Sequence, residues 1–130
     1  MTLPTNGEVF VFGSNSAGRH GAGTALIAQQ QFGAVYGNGF GYMKGDHPDA
    51  HCYAIPTKGI HIQTLPIFNI RRSIEHFIHD ASQTELKDLD FFVTRVGCGR
   101  AGYRDIDIAP LFRGSPANCI FPVEWRDWLG

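Results

Sequence analysis

The sequence predicts an α/β fold built on a mostly parallel central sheet, and two observations carry the prediction. Short apolar runs rich in strand formers each end in a glycine-rich or proline-bearing turn, and stretches with helical character lie between them. A parallel strand cannot follow its neighbour through a tight turn. Strand and helix must therefore alternate, with the helices covering the faces of the sheet.

Glu8-Val9-Phe10-Val11-Phe12 is an apolar run that stops at Gly13, as expected of a strand buried on both faces. Residues 13–23, GSNSAGRHGAG, form a glycine-rich loop, and Thr24 to Phe32 then supplies good helix formers before a Gly33 stop. Residues 36–42 carry glycine at 37, 39 and 41, too many for regular structure, and with the turn formers at 45–49 they are expected to be a mobile excursion. Cys52-Tyr53-Ala54-Ile55 is a second strand, closed by Pro56, with Thr57-Lys58-Gly59 at its carboxyl end. After Pro66, apolar residues at Ile67, Ile70, Ile74, Phe77 and Ile78 mark one face of an amphipathic helix with proline in its first turn. Asp90 to Val96 is a third strand that runs into Gly97-Cys98-Gly99-Arg100-Ala101-Gly102-Tyr103. A short helix from about Ile106 to Phe112 and a last strand from Asn118 to Phe121 complete the pattern. No repeat or linker interrupts residues 1–130, which read as one domain.

A chain of 130 residues can bury roughly two-thirds of its unfolded surface, and 43% apolar with 18% charged content is ordinary for a globular protein. The net charge of −1 offers no basic face, which argues against general nucleic-acid binding and against attraction to an anionic membrane. Any bound anion must be held by local geometry. No apolar run approaches the roughly 20 residues of a membrane span, and Met1 to Gly7 lack the basic and apolar regions of a signal peptide, so the expected location is cytoplasmic. Cys52, Cys98 and Cys119 form no Cys-x-x-Cys and read as reduced thiols. His76 and His79, three apart on a helix, fall short of the three or four ligands of a zinc site, so neither a metal nor another cofactor is expected. Trp125 and Trp128 are expected to pack a C-terminal tail or to serve an oligomer contact.

Ligands of open α/β sheets bind beyond the carboxyl ends of the strands, where three loops of this chain emerge. In Gly18-Arg19-His20-Gly21-Ala22-Gly23, glycine lets backbone amides and a following helix N-terminus approach a phosphate. The glycines fit neither the dinucleotide Gly-x-Gly-x-x-Gly nor the phosphate loop ending in Lys-Ser/Thr. A second loop of the same kind, GCGRAG at 97–102, leaves another strand, and the two can close on a pyrophosphate from both sides. Arg19, Arg100 and Arg104 flank these loops and suit phosphate by their fork geometry, and Phe40, Tyr42 and Tyr103 are candidates to stack on a base or ribose.

HGAGTALIAQQQFGA at 20–34, TKG at 57–59 and TRVGCGRAGY at 94–103 resemble, in order and spacing, the macro domains that bind ADP-ribose. The likeness spans roughly residues 8–122 and is nearest to the branch of lysine-dependent terminal ADP-ribose glycohydrolases. The resemblance implies a three-layer α/β/α sandwich with the diphosphate between the two glycine loops and the distal ribose deep between them. It implies that Gly21, Ala22 and Gly23 form the first phosphate loop, with Arg19 and His20 beside it and Ser14 and Asn15 near the distal ribose. Gly97, Cys98, Gly99, Arg100, Ala101 and Gly102 form the second, followed by Tyr103. Lys58 matches the lysine that attacks the anomeric carbon in the glycohydrolase branch. The acid of that branch stands where this chain has Ala101, which leaves Asp105 and Asp107 as the carboxylates to replace it. The aspartate that holds the adenine amine in macro domains precedes the part of the fold that this sequence covers, so a smaller or rearranged ADP-ribose derivative is among the expected ligands.

The expected partner is thus an ADP-ribose-containing small molecule or an ADP-ribosylated macromolecule, bound and, through Lys58, hydrolysed. Two alternatives stand beside this. One is a non-catalytic module that sequesters or senses a nucleotide, which Ala101 favours. The other is a thiol hydrolase in which Cys98 is the nucleophile and His20 its base.

Overall fold

The computed structural model describes residues 2–129, and in it the first apolar run becomes the central strand of the sheet. That strand, β1 (Val9–Asn15), has parallel neighbours on both edges: β3 (His51–Lys58) on one side and β4 (Phe91–Val93) on the other. The outer positions belong to β2 (Gly41–Lys44), antiparallel to β3, and β5 (Cys119–Ile120), parallel to β4. Among the described residues the architecture is therefore α/β, with one mixed, mostly parallel five-stranded sheet in the order β2-β3-β1-β4-β5.

Alternation along β1 splits the core in two. Val9 and Val11 join Tyr53, Ile55, Phe91 and Val93 under α2 (Ile67–Gln83), whereas Phe10 and Phe12 join Cys52 and Ala54 under α1 (Gly23–Gln31). The helices cover opposite faces, an arrangement compatible with a three-layer sandwich. Helix α1 turns small residues, Ala25 and Ala28, toward the sheet, which leaves room for the stacked rings of Phe10 and Phe32, 4.5 Å apart. Helix α2 buries Ile70, Ile74, Phe77 and Ala81, the recurring face of its 3.6-residue period, and Phe77 meets Tyr53, Phe91 and Phe112 edge-on.

Several boundaries differ from the sequence expectation for identifiable reasons. Strand β3 continues through Pro56 to Lys58; β2 accompanies it only as far as Ala54, so the proline falls where β3 has a neighbour on one edge alone. The segment expected to be an irregular excursion contains β2, in which Tyr42 packs toward the α2 cluster and Met43 is buried in the other, a period of two masked by the glycines before it. Strand β4 is only three residues long; Thr94 gives both its N–H, at 3.1 Å, and its hydroxyl, at 2.7 Å, to the Val11 carbonyl, and the chain then turns as Val96 N–H closes onto the Thr94 carbonyl at 2.7 Å. The helix expected at 106–112 is α3 (Asp105–Ile108) followed by a 3-10 turn (Ala109–Phe112) with Pro110 in it. Trp125, in a 3-10 turn before the short α4 (Arg126–Leu129), is fully buried against Phe112 and Phe121, so it packs the C-terminal segment onto the domain. No helix among the described residues is long and apolar enough to cross a membrane.

Phe77 is the side chain on which these contacts converge. Its replacement by alanine should cost about 3–5 kcal/mol, read as a lower midpoint in urea unfolding with the slope of the transition unchanged.

Candidate functional site

A crevice of about 480 Å³ opens at the carboxyl ends of β1 and β3 and the loop after β4. Its position follows from topology. The chain leaves β1 toward β3 on one side and reaches β4 by crossing to the other, so the loops after β1 and β4 part at this end of the sheet.

The first wall is the loop from β1 to α1, which is pinned from within. The Asn15 side chain holds both backbone groups of Arg19: it donates to the carbonyl at 2.8 Å and accepts from the N–H at 2.9 Å. Ser14 donates to the Gly39 carbonyl, and Gly37 N–H donates to the Gly18 carbonyl at 2.9 Å, so the segment before β2 is clasped onto the loop. The clasp admits no side chain at Gly39, where a Cβ would lie 1.8 Å from the Asn15 carbonyl oxygen. His20 is buried and its Nε2 lies 3.1 Å from the Val35 carbonyl and 2.9 Å from that of Asn38. Since carbonyls only accept, Nε2 is the protonated nitrogen and works as a strut between segments. It is therefore turned away from the crevice.

Gly21, Ala22, Gly23, Thr24 and Ala25 face the crevice. Ala22 has no side chain able to cap α1, no acidic residue stands in the first turn, and the first helical bond, Leu26 N–H to Ala22 C=O, comes at 3.2 Å. Among the described residues the amides of Gly23, Thr24 and Ala25 have no acceptor, which leaves the positive end of the helix dipole open toward the crevice.

The opposite wall is the loop after β4. Cys98 N–H closes onto Arg95 C=O at 3.1 Å, Gly102 N–H onto Gly99 C=O at 3.0 Å and Tyr103 N–H onto Gly97 C=O at 2.9 Å. The amides of Gly99, Arg100 and Ala101 are left without acceptors, and these residues line the crevice. Lys58, the last residue of β3, lines it between the two loops; its carbonyl accepts the Ser16 N–H at 2.8 Å.

Ser14, Asn15, Arg19, Gly21, Ala22, Gly23, Lys58, Gly97, Gly99, Arg100 and Ala101 are thus brought together. Other expected site residues are directed elsewhere. Cys98 turns into the α2-side core with Sγ 3.6 Å from the Val96 carbonyl, and burial first, then the Asp105 charge, pushes its thiol up to about 12. His20 sits edge-on to Phe12 in contact with the other face, so the pair required by a thiol mechanism is not assembled. Asp105 accepts both fork bonds of Arg95, at 2.9 and 2.8 Å, and the indole N–H of Trp125 at 2.8 Å. These donors, Arg95 foremost, hold its carboxyl below the ordinary value of 3.8, the opposite of what a general acid needs. Asp107 accepts the Arg104 N–H at 3.0 Å and is likewise lowered, chiefly by that bond. Neither aspartate lines the crevice, and nor does Gly102 or Tyr103, whose hydroxyl donates to the Leu65 carbonyl at 2.6 Å. Phe40 lies over His76, 5.3 Å between rings, and the Tyr42 hydroxyl pairs with His51 at 2.8 Å.

Thr57, Ile62 and Arg95 also line the crevice, although the sequence reading assigns none of them a site role. Arg95 was readable in principle, as a cation at the end of a strand; Ile62 was not, because its place depends on the turn that carries it. The lining holds Arg19, Lys58, Arg95 and Arg100 and no carboxylate. Only Arg95 of these is ion-paired among the described residues. Charge-assisted hydrogen bonds contribute roughly 1.5–3 kcal/mol each against ~0.3–1 kcal/mol for a helix dipole, so the amides and guanidinium groups dominate what this lining can hold. Its free cations and unserved amides have the chemistry that suits an anion. No family model, curated protein or solved structure matches the chain.

Gly39→Ala should lower stability by about 1–3 kcal/mol through overpacking, measured by thermal unfolding, with hydrogen exchange rising at residues 15–20. Because the carboxyl of Asp105 is depressed by Arg95, its contribution is present above 3.8 and is lost as pH falls through the depressed value. Asp105→Asn should therefore lower the urea midpoint at neutral pH, and the gap to the wild type should close in acid.

Proposed function

We propose that the chain is a macro-like α/β/α domain that binds ADP-ribose or a related NAD-derived nucleotide, with the diphosphate between the loops at 18–23 and 97–102. The observation that carries this reading is the pairing of two sets of unserved amides, at Gly23, Thr24 and Ala25 and at Gly99, Arg100 and Ala101, across a crevice whose side chains are cationic or neutral. Amides so arranged suit an anion, and two facing sets suit two linked phosphates. The volume is ordinary for a nucleotide-sized ligand.

Holding the ligand is favoured over hydrolysing it. An amine at C1 displaces its leaving group only with a proton donor at hand, and no carboxylate lines the crevice: Asp105 is held behind the wall by Arg95, and Asp107 is bound to the Arg104 N–H. This supports a module that sequesters or senses the nucleotide, free or attached to a macromolecule.

Calorimetric titration with ADP-ribose should give saturable binding. Gly23→Glu should abolish it: a Cβ there lies 3.7 Å from Arg100 Nε, so the carboxylate would neutralise that arginine and occupy the phosphate position. Arg100→Ala, a milder change, should weaken binding without lowering the thermal midpoint. Lys58→Ala should leave ADP-ribose affinity within a few-fold of wild type. Release of ADP-ribose from a modified substrate by the wild type, absent in Lys58→Ala, would reinstate hydrolysis. A wild type that gives no heat and no thermal shift with ADP-ribose would remove the reading.

A further inference from the structure

Ile62 is the one non-glycine residue with positive φ among the described residues, at 63°. For a β-branched side chain this is the least favourable common backbone state, and glycine or asparagine would adopt it more easily. A tight turn imposes it. Ile62 N–H donates to the Gly59 carbonyl at 3.0 Å, Gly59 N–H to the Gln63 carbonyl at 2.8 Å, and His61 N–H to Gln63 Oε1 at 3.1 Å. The turn is fixed to both sides of the crevice: Leu65 N–H donates to the Thr57 carbonyl at 2.9 Å, and Thr64 Oγ1 to the Ala101 carbonyl at 3.1 Å.

This strained residue lines the crevice and remains 38% exposed. The rest of the lining is glycine, alanine, hydroxyl, amide and cation, apart from Val96, which is only 1% exposed. Ile62 is thus the accessible apolar side chain larger than alanine in a crevice otherwise suited to phosphate. Its side chain lies outside the core clusters, so core packing gives no reason for isoleucine here, and its backbone disfavours it.

We propose that Ile62 is a specificity-determining residue that seats the apolar face of a planar ring carried by the nucleotide. This rests on the reading of the crevice as a diphosphate site and adds to it a reason why a nucleotide is held more tightly than bare pyrophosphate. The ring is either the adenine base or a nicotinamide on the terminal ribose; the chemistry of the contact is the same.

The test is a comparison of ADP-ribose, NAD and inorganic pyrophosphate on the wild type, Ile62→Gly and Ile62→Leu. Ile62→Gly removes the side chain and relieves the backbone, so its thermal midpoint should equal or exceed that of the wild type. It should bind a ring-bearing ligand ~10-fold more weakly and pyrophosphate within twofold of wild type, and Ile62→Leu should restore most of the loss. Loss for both nucleotides assigns the ring to adenine, and loss for NAD alone assigns it to nicotinamide. Unchanged nucleotide affinity in Ile62→Gly, or an equal loss for pyrophosphate, overturns the proposal, as does a wild type that binds pyrophosphate but neither nucleotide. A wild type that binds none of the three removes the diphosphate reading itself, and the proposal with it.

Discussion

Everything in this molecule hangs on the confinement of β1. It is hydrogen-bonded on both edges to parallel strands and packed on both faces, with Val9, Phe10, Val11 and Phe12 without solvent exposure. A strand so enclosed has no freedom to slip, since a one-residue shift would exchange the valine and phenylalanine faces between two cores of different shape. Its parallel neighbours make the ends of β1, β3 and β4 point the same way, and the loops that follow meet there. The register shift between Ser14 and Asn15 comes where the strand gives way to the crevice.

The residues of the glycine loops divide into those that hold the walls and those that face the space between. His20, Asn15 and Ser14 satisfy backbone groups of the loops around them, while Cys98 and Tyr103 anchor the second loop to the α2-side core. Asp105 couples the indole of Trp125 to Arg95, so a buried aromatic of the C-terminal segment sets the position of a cation at the crevice. What is left for a ligand is mostly backbone amides, with Arg19, Lys58 and Arg100 around them. Proximity in sequence to a glycine loop is thus a poor guide to which side chains face the crevice. A loop that must stay open has to spend many of its polar groups on staying in shape.

Much of the architecture was legible because burial leaves strong periodic marks. The run at Val9 to Phe12 and the 70, 74, 77 spacing of α2 reappear as the central strand and the main covering helix. The convergence of the segments around 21–23, 58 and 97–101 was also legible, since it follows from strand direction alone. The misses share a physical cause: they concern groups whose role depends on a partner distant in sequence. Strand β2 exists because Met43 finds a place beside Phe10 and Phe12, not because of its own composition. Asp105 reads in the sequence as a free acid, but three donors distant in the chain, two from Arg95 and one from Trp125, occupy its carboxylate. Ile62 carries no mark at all in the sequence, because a positive φ at isoleucine runs against its own propensity.

The clasp between the first glycine loop and residues 35–39 has a further consequence, for the thermodynamics of association. A glycine-rich loop has more conformational entropy to lose than any other segment of equal length. Here that loss is incurred during folding, through the Asn15, His20 and Gly37 hydrogen bonds, before any ligand arrives. A ligand entering the crevice would meet a wall already ordered, and little of its binding free energy would be diverted to ordering the site.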